Sequence, residues 1–106
     1  MRETVRSIIK ELRHQLEALY GARLVRMVLY GSQARGDAER SSDIDVLVVL
    51  QGPVSPGEEI ARTSEIISSL SLTHGVVLSR AFVSSDRFER EQSPLRMNIR
   101  REGVTV

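Results

Sequence analysis

The sequence predicts a mixed α/β (α+β) fold, in which helices flank a small mixed β-sheet. Three observations lead to this prediction. Apolar residues recur at helical spacing near the N-terminus, runs rich in Val, Ile and Leu follow with β-strand character, and a second helical pattern separates two of those runs. The chain of 106 residues fits one domain, so we expect residues 1–106 to fold as a single unit.

The first helix is predicted over residues 3–20, because its apolar residues fall on one stripe of the helix surface. The stripe consists of Val5, Ile8, Ile9, Leu12, Leu16 and Leu19. Gly21 follows as a suitable C-terminal stop, since glycine readily adopts the left-handed backbone that ends many helices. His14 lies off the stripe, so we expect it on the surface.

Two strands and a short connection follow the first helix. Residues 24–30 are rich in Val, Leu and Met and predict the first strand, which Gly31 and Ser32 end. Residues 33–42 are small and polar, with room only for a short turn of helix and a loop. Residues 43–50 predict a second strand of high β-propensity. Because the connection between these strands is short, they could run antiparallel.

The start of a second long helix is marked by Ser55 as N-cap, Pro56 at the first helical position and Glu58 in a capping box. Its inner face is expected to carry Ile60, Ser64, Ile67 and Leu70, as far as about Leu72. A third strand is predicted over residues 76–83. The full helix between this strand and the second one favours a parallel crossover connection.

Two more helices are predicted after the third strand. Residues 84–91 predict a short helix with a serine cap, and residues 93–103 predict a last helix that begins at Ser93 and Pro94. The terminal residues 104–106 could pair with an exposed sheet edge of a partner molecule. A homo-oligomer is therefore compatible with the sequence, which does not determine the oligomeric state.

Composition excludes several classes of site and partner. The chain has no cysteine, which excludes disulfides, thiolate metal sites and a cysteine nucleophile and suits a reducing cytoplasm. The apolar runs are too short for a membrane span and the N-terminus does not resemble a signal peptide, so we expect a cytoplasmic protein without membrane contact. Net charge is +1, and the arginines of residues 96–101 are expected on a solvated helix face, so no long nucleic acid is expected as a partner.

Asp43 and Asp45 stand two positions apart at the start of the second strand, so their side chains project from the same face. Ile44 and Val46 point the other way, into the predicted core. Two charged groups at the start of an apolar strand lower stability through repulsion and partial desolvation. A divalent cation would relieve both effects, and Mg²⁺ prefers oxygen ligands. The pair therefore predicts a magnesium site.

Gly31 and Ser32 form a corner after the first strand. A strand that turns through Gly-Ser into a short helix presents backbone N–H groups, which can hold phosphate oxygens together with the serine hydroxyl. Glycine also permits close approach of a ligand to the backbone. Either feature alone is more often structural. Together, a phosphate corner and a metal site on consecutive strands provide what phosphoryl or nucleotidyl transfer needs.

The spacing of these residues resembles a known signature. Gly31-Ser32, ten residues and then Asp43-x-Asp45 is similar to the motif of the DNA polymerase β-like nucleotidyltransferase superfamily. The longer string GSQARGDAERSSDIDVLVV resembles the minimal nucleotidyltransferase (MNT) domain proteins of that superfamily. The resemblance is strong over residues 24–50. It implies the nucleotidyltransferase fold, ATP and Mg²⁺ as ligands, and transfer of a nucleoside monophosphate with release of pyrophosphate.

Carried over to this sequence, the resemblance assigns Gly31 and Ser32 to the β- and γ-phosphates of ATP. It assigns Asp43 and Asp45 to catalysis, through the binding of one or two Mg²⁺ ions. In these roles the glycine, the serine and both carboxylates would act on the same triphosphate.

Two further residues of the motif have open roles. Arg35 could face the phosphates of the nucleotide, or it could form an ion pair with Asp37 or Asp43 that shapes the loop. Ser42 could contact the nucleotide, although a structural role at the start of the second strand is favoured. Both residues are candidates for the nucleotide-binding set.

The third strand departs from the pattern of the superfamily. Members usually carry a third carboxylate there, which helps to deprotonate the acceptor hydroxyl and holds a second metal ion. Residues 76–83 contain no acid, and Arg80, where an acid could stand, would repel a second metal ion. Asp86, the nearest acid downstream, is expected in the first turn of a helix, stabilised by the helix dipole. We therefore expect one strong metal position and a weak or absent second one.

Two functions follow from the resemblance. The first is transfer of AMP from Mg-ATP to a hydroxyl of a protein or small molecule, as the antitoxin of a pair with a small helical toxin of the HEPN class. The second is a nucleotide-binding module, weak or inactive in catalysis, that acts by direct binding; the missing third acid supports it. An aminoglycoside-type transferase would need a second domain, and a template-directed polymerase a large basic platform, so both are disfavoured.

Overall fold

The computed structural model describes residues 2–35 and 43–106, apart from the side chain of Ser32. Its elements, in chain order, are α1 (Glu3–Tyr20), a 3-10 turn (Gly21–Arg23), β1 (Leu24–Tyr30), α2 (Ser32–Arg35), β2 (Ile44–Leu50), α3 (Pro56–His74), β3 (Leu78–Ser84), α4 (Ser85–Arg90), α5 (Pro94–Glu102) and β4 (Val104–Thr105). The predicted order is confirmed, with β4 as an addition. Charged residues are spread along both long helices, and no helix within the described ranges could cross a membrane.

Within the described residues the strands form one mixed sheet in the order β3-β2-β1-β4. β2 and β3 run parallel, as the helix between them predicted, and β1 and β2 run antiparallel, the orientation that their short connection had left possible. The sheet therefore brings the end of β1 and the beginnings of β2 and β3 to one edge. At that edge Tyr30 pairs with Asp45, and Ile44 pairs with Leu78. The predicted fold class, a small mixed sheet with flanking helices, is confirmed.

Helices cover both faces of this sheet, which explains why β2 is almost entirely apolar. On the face packed by α1 and α3, β2 contributes Ile44, Val46, Val48 and Leu50. On the opposite face Leu47 and Val49 pack with Phe88 of α4 and Ile99 of α5. Because side chains alternate along a strand, Asp45 projects toward the face of α4 and α5.

The apolar stripe of α1 ends at Tyr20 rather than at Leu19. The rest of the stripe is buried as predicted: Val5, Ile8, Ile9, Leu12 and Leu16. Leu19 is 40% exposed, whereas Tyr20 is buried and its hydroxyl donates to Oε1 of Glu59 at 2.7 Å. Gly21, with φ of 55°, ends the helix and His14 is exposed, and both observations confirm the predictions.

The first half of α3 presents a different inner face from the one predicted. The structure buries Glu59, Thr63, Ile67 and Leu70, whereas the prediction named Ile60, Ser64, Ile67 and Leu70. The prediction is wrong here because it started the inner face at Ile60, which is 42% exposed, and so placed the first two inner positions one residue too late. Glu59 is stabilised there by the Tyr20 hydroxyl and by Nε of Arg62, which lies 3.0 Å from Oε1 of Glu59.

The ends of α3 also differ in detail from the prediction. The helix begins after Ser55 with Pro56 in its first turn, as predicted, but the N-cap forms no side-chain hydrogen bond. The expected capping box with Glu58 is therefore wrong. At the other end α3 continues to His74, and Gly75 ends it in the left-handed conformation with φ of 63°. β3 accordingly starts later than predicted, at Leu78.

The terminal residues 104–106, for which the sequence left pairing with a partner molecule possible, pair with β1 of their own chain. β4 runs antiparallel to β1, with Val104 opposite Leu29, and the N–H of Val106 donates to the carbonyl oxygen of Met27 at 2.9 Å. Gly103 makes this pairing possible. A Cβ at Gly103 would lie 2.4 Å from Cγ1 of Val28, so only glycine lets α5 end this close to β1.

The prediction of a solvated arginine face on α5 is wrong for Arg96 and Arg100. Nε of Arg96 donates to Oε2 of Glu91 at 3.1 Å, and Nη1 of Arg100 donates to the carbonyl oxygen of Phe88. Both arginines are partly buried, and these bonds tie α5 to α4.

The contact at Gly103 gives the first testable prediction. Gly103→Ala places a methyl group against Val28 and the backbone of α5, and such overpacking lowers the free energy of unfolding by about 1–3 kcal/mol. Gly57→Ala, in the first turn of α3, is the matched control because a Cβ there meets nothing within 4 Å. Urea unfolding of both variants measures the effect. Equal midpoints for Gly103→Ala and the unaltered protein would show that α5 is not held this tightly.

Candidate functional site

The candidate site lies where β1 ends and α2 begins. Gly31 occupies the corner with φ of 76°, in the left-handed region that favours glycine. The N–H of Arg35 donates to the carbonyl oxygen of Gly31 at 3.2 Å, which closes the single turn of α2. The first N–H groups of a helix have no partner within the helix, so the start of α2 is a suitable place for an anion.

Gly31 and Asp45 are brought into direct contact by the antiparallel pairing of β1 and β2. A Cβ at Gly31 would lie 2.8 Å from Oδ2 of Asp45, and this separation is too short for real Cβ atoms. A side chain at position 31 is therefore excluded both by backbone conformation and by the neighbouring carboxylate. The glycine corner and one of the two predicted carboxylates thus occupy the same small region.

Asp43 and Asp45 lie at the start of β2 with different exposure. Asp43 is exposed just before the strand, and Asp45 is half-buried within it. Burial raises the pKa of Asp45, and the neighbouring charge of Asp43 raises it further. The two carboxylates therefore repel each other when ionised, and a divalent cation between them would relieve this repulsion. Their oxygen atoms are ligands of the kind that Mg²⁺ takes, so this pair fits the implied metal ion.

Tyr30 lies beside the candidate site, although the sequence analysis did not identify it. It pairs with Asp45 across the sheet and packs against the cluster on the α4 and α5 face. Burial raises the pKa of its hydroxyl, the charge of Asp45 raises it further, and Arg96 acts in the opposite direction. The signal for Tyr30 in the sequence is its place directly before Gly31, at the end of the first strand.

Arg80 does not stand where a third carboxylate would act. The residue of β3 that pairs with Asp45 is Ser79, and Arg80 projects to the opposite face. There Nη2 of Arg80 donates to the carbonyl oxygen of Ile60 at 2.7 Å, and Nε donates to Oγ1 of Thr63 at 3.2 Å. The expectation that Arg80 repels a second metal ion is therefore wrong, because alternation along β3 turns it toward α3.

Asp86 lies in the first turn of α4, as predicted. It is exposed, and its Oδ1 lies 3.8 Å from Nη2 of Arg90. It lines a surface cavity of about 320 Å³ together with Glu91, away from the glycine corner. Within the described parts of the chain, no group of three His, Cys, Asp or Glu side chains is arranged to hold a metal ion.

The remaining predicted residues lie at the edge of the described structure. Arg35 is exposed at the end of α2, and it lines a cleft beside Gly31. Ser32 begins α2, but its hydroxyl lies outside the described part of the chain, and so does the whole of Ser42. Asp37, a possible partner of Arg35, is likewise outside the described residues.

The cleft beside Gly31 has a volume of about 170 Å³ and is formed between the corner and α5. Its lining includes Tyr30, Gly31, Arg35, Leu95, Asn98 and Glu102. The sequence analysis did not place α5 at the site, because only tertiary packing brings the helix there. Four residues of α5, Leu95, Asn98, Ile99 and Glu102, thus become neighbours of the predicted site without any local signal.

A larger cavity of about 670 Å³ lies on the other side of the same sheet edge. Gln33 of α2 and Ile44 of β2 line it, together with Val5 of α1 and His74 of α3. Ile44 and Asp45 project to opposite faces of β2, so this cavity lies behind the carboxylates. Although this cavity is larger than the cleft beside Gly31, the carboxylates face away from it, so its size alone does not identify it as the reactive site.

The sequence matches the nucleotidyltransferase domain family over residues 9–102. It is 34% identical over 83 residues, 78% of this chain and 77% of the relative, to the candidate protein adenylyltransferase MJ0604 of Methanocaldococcus jannaschii. In fold it is similar to a structure described as a candidate minimal nucleotidyltransferase, with 27% identity, a TM-score of 0.58 and coverage of 96% and 95% of the two chains. It is also similar to a toxin-antitoxin crystallised with AMP-PNP, with a TM-score of 0.60, 24% identity and coverage of 95% and 70%.

The raised pKa of Asp45 gives the second prediction. The folded protein binds the Asp45 proton more tightly than the unfolded chain does, so the free energy of unfolding falls as pH rises from the usual aspartate range through the raised pKa. Asp45→Asn removes the buried charge and its repulsion with Asp43. We therefore expect a higher urea midpoint for Asp45→Asn at neutral pH in the presence of EDTA.

Asp86→Asn is the matched control for this measurement, because Asp86 is exposed and lies beside Arg90. Its midpoint is expected to stay unchanged or to fall slightly, since the helix dipole favours the lost charge. A lower midpoint for Asp45→Asn would contradict the repulsion inferred between Asp43 and Asp45.

Proposed function

This chain belongs to the nucleotidyltransferase domain family, and on that premise we propose that it transfers AMP from Mg-ATP to a hydroxyl group of a protein. The single observation that supports the proposal most directly is the 2.8 Å separation between a Cβ position at Gly31 and Oδ2 of Asp45. A corner suited to phosphate and a carboxylate suited to a metal ion are neighbours across one strand pair. One triphosphate could contact both.

The triphosphate would be held at the corner formed by Gly31 and the start of α2. The β- and γ-phosphates would accept hydrogen bonds from backbone N–H groups there, with the Ser32 hydroxyl as a further donor. The absence of a side chain at Gly31 leaves room for the phosphates beside Asp45. Arg35 would face the same phosphates from the end of α2, and Ser42 would contact the nucleotide.

Asp43 and Asp45 would hold Mg²⁺ with their carboxylate oxygens. When bound, the metal ion supplies neutralisation of the phosphate charge and orientation of the reacting oxygens. The half-buried Asp45 would give a fixed ligand, because its strand is packed on both faces. The exposed Asp43 would close the coordination shell from the solvent side.

The proposed transfer forms one bond and breaks another. The oxygen of the acceptor hydroxyl bonds to the α-phosphorus of ATP, and the bond from that phosphorus to the bridging oxygen of the β-phosphate breaks. Pyrophosphate leaves with the bonding electron pair, and the hydroxyl proton must pass to a base. The role of this chain is to align the two oxygens and to stabilise the charge that develops on the phosphates.

The acceptor in this proposal is a partner protein, a small helical toxin of the HEPN class. The similarity to a candidate protein adenylyltransferase supports a protein acceptor, and the similarity to a toxin-antitoxin structure supports a toxin as that protein. The HEPN class of the toxin is what the family resemblance implies. The chain would act as the antitoxin, in the cytoplasm, by modifying its partner. A small-molecule hydroxyl is the less favoured acceptor.

A second function is favoured by one specific observation, the lack of a three-acid group within the described residues. In this alternative the chain binds the nucleotide and neutralises its partner by contact alone. The two functions would be distinguished by measuring how well the double variant Asp43→Asn, Asp45→Asn neutralises the partner protein. Full neutralisation by that variant favours direct binding, and lost neutralisation favours transfer.

The third prediction tests the transfer itself. ATP labelled at the α-phosphate is incubated with the chain, Mg²⁺ and the protein encoded by the neighbouring gene, and label on that protein is measured. Asp43→Asn and Asp45→Asn are each expected to lower the rate on the order of 100-fold or more, as for the loss of one preorganised electrostatic group. Asp86→Asn is the control and should keep the unaltered rate. No labelling by the unaltered chain would refute the proposed transfer.

The fourth prediction concerns Gly31. Gly31→Ala forces a methyl group toward Asp45 and the expected phosphate position, so the affinity for α,β-methylene ATP with Mg²⁺ should fall about tenfold or more, equivalent to about 1.4 kcal/mol. Calorimetric titration measures the dissociation constant, and Gly57→Ala serves as the matched glycine control. Urea unfolding shows whether the variant is folded. If folded Gly31→Ala protein binds the analogue with unchanged affinity, the glycine corner is not part of the nucleotide site.

A further inference from the structure

The two strands that flank the carboxylates of β2 bring different groups to them. On the β1 side lies the glycine corner, where a Cβ at Gly31 would be 2.8 Å from Oδ2 of Asp45. On the β3 side the strand register places Ser79 beside Asp45. Neighbouring strands of a sheet lie about 4.8 Å apart, so both sides are within reach of one ligand bound at the carboxylates.

In-line transfer would give these two sides different roles. In the proposed reaction the bridging oxygen leaves toward the β- and γ-phosphates, which the glycine corner would hold. The acceptor oxygen must attack the α-phosphorus from the side opposite to this leaving oxygen. A line from the corner at the end of β1 across Asp45 continues to β3. The acceptor hydroxyl is therefore expected to approach over the beginning of β3.

Val77, one residue before β3, lies beside Asp43. The N–H of Ile44 donates to the carbonyl oxygen of Val77 at 2.9 Å, so the contact between the two chain segments extends to this residue. Leu78 packs with Ile44 on the opposite face of the sheet. Because side chains alternate along a strand, Val77 projects to the face of the carboxylates. It is 57% exposed and belongs to neither apolar cluster of the described residues, so its side chain is available to a partner.

Ser79 is the next residue on this face, and it is half-buried. Its hydroxyl forms no hydrogen bond with another residue of the described ranges. Ser84 of the same strand differs, because its Oγ accepts a hydrogen bond from the N–H of Arg87 at 3.2 Å and caps α4. The Ser79 hydroxyl is thus free to bond a ligand, one strand away from Asp45.

We propose that Val77 and Ser79 form the acceptor side of the candidate site. The inference rests on the proposed AMP transfer. The acceptor side chain of the partner protein packs its carbon atoms against Val77. Its hydroxyl donates a hydrogen bond to Oγ of Ser79, which turns a lone pair of the acceptor oxygen toward the α-phosphorus. Ser79 thereby orients the acceptor and does not remove its proton.

The cleft between the glycine corner and α5 is less suited to the acceptor. Gly31 and Arg35 border it, and both are assigned to the β- and γ-phosphates. A hydroxyl in this cleft would stand on the side from which pyrophosphate leaves. The larger cavity lined by Ile44 lies behind the carboxylates and does not face the α-phosphate either.

The test, and the fifth prediction, uses the absence of cysteine from the chain. Val77→Cys is labelled with benzophenone maleimide, and photo-crosslinking to the protein encoded by the neighbouring gene is measured with α,β-methylene ATP and Mg²⁺. The label should crosslink efficiently at position 77. It should crosslink far less in Asn98→Cys, an exposed position of the α5 cleft. Val25→Cys, 46% exposed near the beginning of β1 and far from the carboxylates, is the background control.

Kinetics of label transfer from ATP supply the second measurement. Val77→Ala should raise the KM for the partner protein about tenfold, because the acceptor loses an apolar contact of two methyl groups. Ser79→Ala should lower kcat about tenfold, as expected for the loss of one orienting hydrogen bond. Val25→Ala and Ser68→Ala, at exposed positions, are the matched controls and should keep the unaltered constants. Affinity for α,β-methylene ATP with Mg²⁺ should stay unchanged in all four variants, and urea unfolding shows that they are folded.

The outcomes separate this inference from the proposed transfer. Crosslinking at Asn98→Cys without crosslinking at Val77→Cys puts the partner on the α5 side and overturns the inference, as does crosslinking at neither position. Unaltered KM in Val77→Ala together with unaltered kcat in Ser79→Ala also overturns it and leaves the AMP transfer intact. If Val77→Cys crosslinks but the unaltered chain transfers no label, the transfer fails, and Val77 is retained as a contact of the partner.

Discussion

The contact between the Gly31 backbone and the Asp45 carboxylate is the constraint on which the site depends. It requires a residue without a side chain, in the left-handed conformation, opposite an acid that is half-buried in an otherwise apolar strand. Neither part favours stability by itself, since Asp45 has a raised pKa and repels Asp43. The two-sided packing of β2 holds the acid in place in spite of this repulsion. The fold therefore maintains at one sheet edge two carboxylates that repel each other, and a divalent cation bound between them would relieve that repulsion.

The packing of α5 and β4 also fixes the structure beside this sheet edge. Gly103 lets the end of α5 approach Val28, and β4 continues directly into a pair with β1. Arg96 and Arg100 fix the other side of α5 to α4 through Glu91 and the carbonyl oxygen of Phe88. The helix that borders the cleft is thus bound to the sheet at one end and to a neighbouring helix along its length.

Local patterns were sufficient for most of the fold and for part of the site. Helical spacing and strand propensity predicted each major element. The helix between β2 and β3 predicted their parallel pairing, and the short connection between β1 and β2 allowed the antiparallel pairing that the structure shows. The wrong predictions concern residues whose positions depend on contacts with residues distant in sequence. Glu59 enters the interior because Tyr20, far away in sequence, donates to it. Arg80 was assigned to the site because its strand lacked an acid, but the register with β2 turns it away. The place of α5 depends on packing alone, which has no local signal.

The contact between positions 31 and 45 also bears on how such sites are lost. A side chain can be accommodated at position 31 only if the residue at position 45 becomes shorter or turns away. A substitution of Gly31 therefore favours replacement of Asp45 as well. Replacement of Asp45, in turn, removes one of the two constraints that keep glycine at position 31. In a lineage that no longer needs the reaction, the two positions should decay as a pair, so that a descendant retaining one without the other would be an evolutionary intermediate.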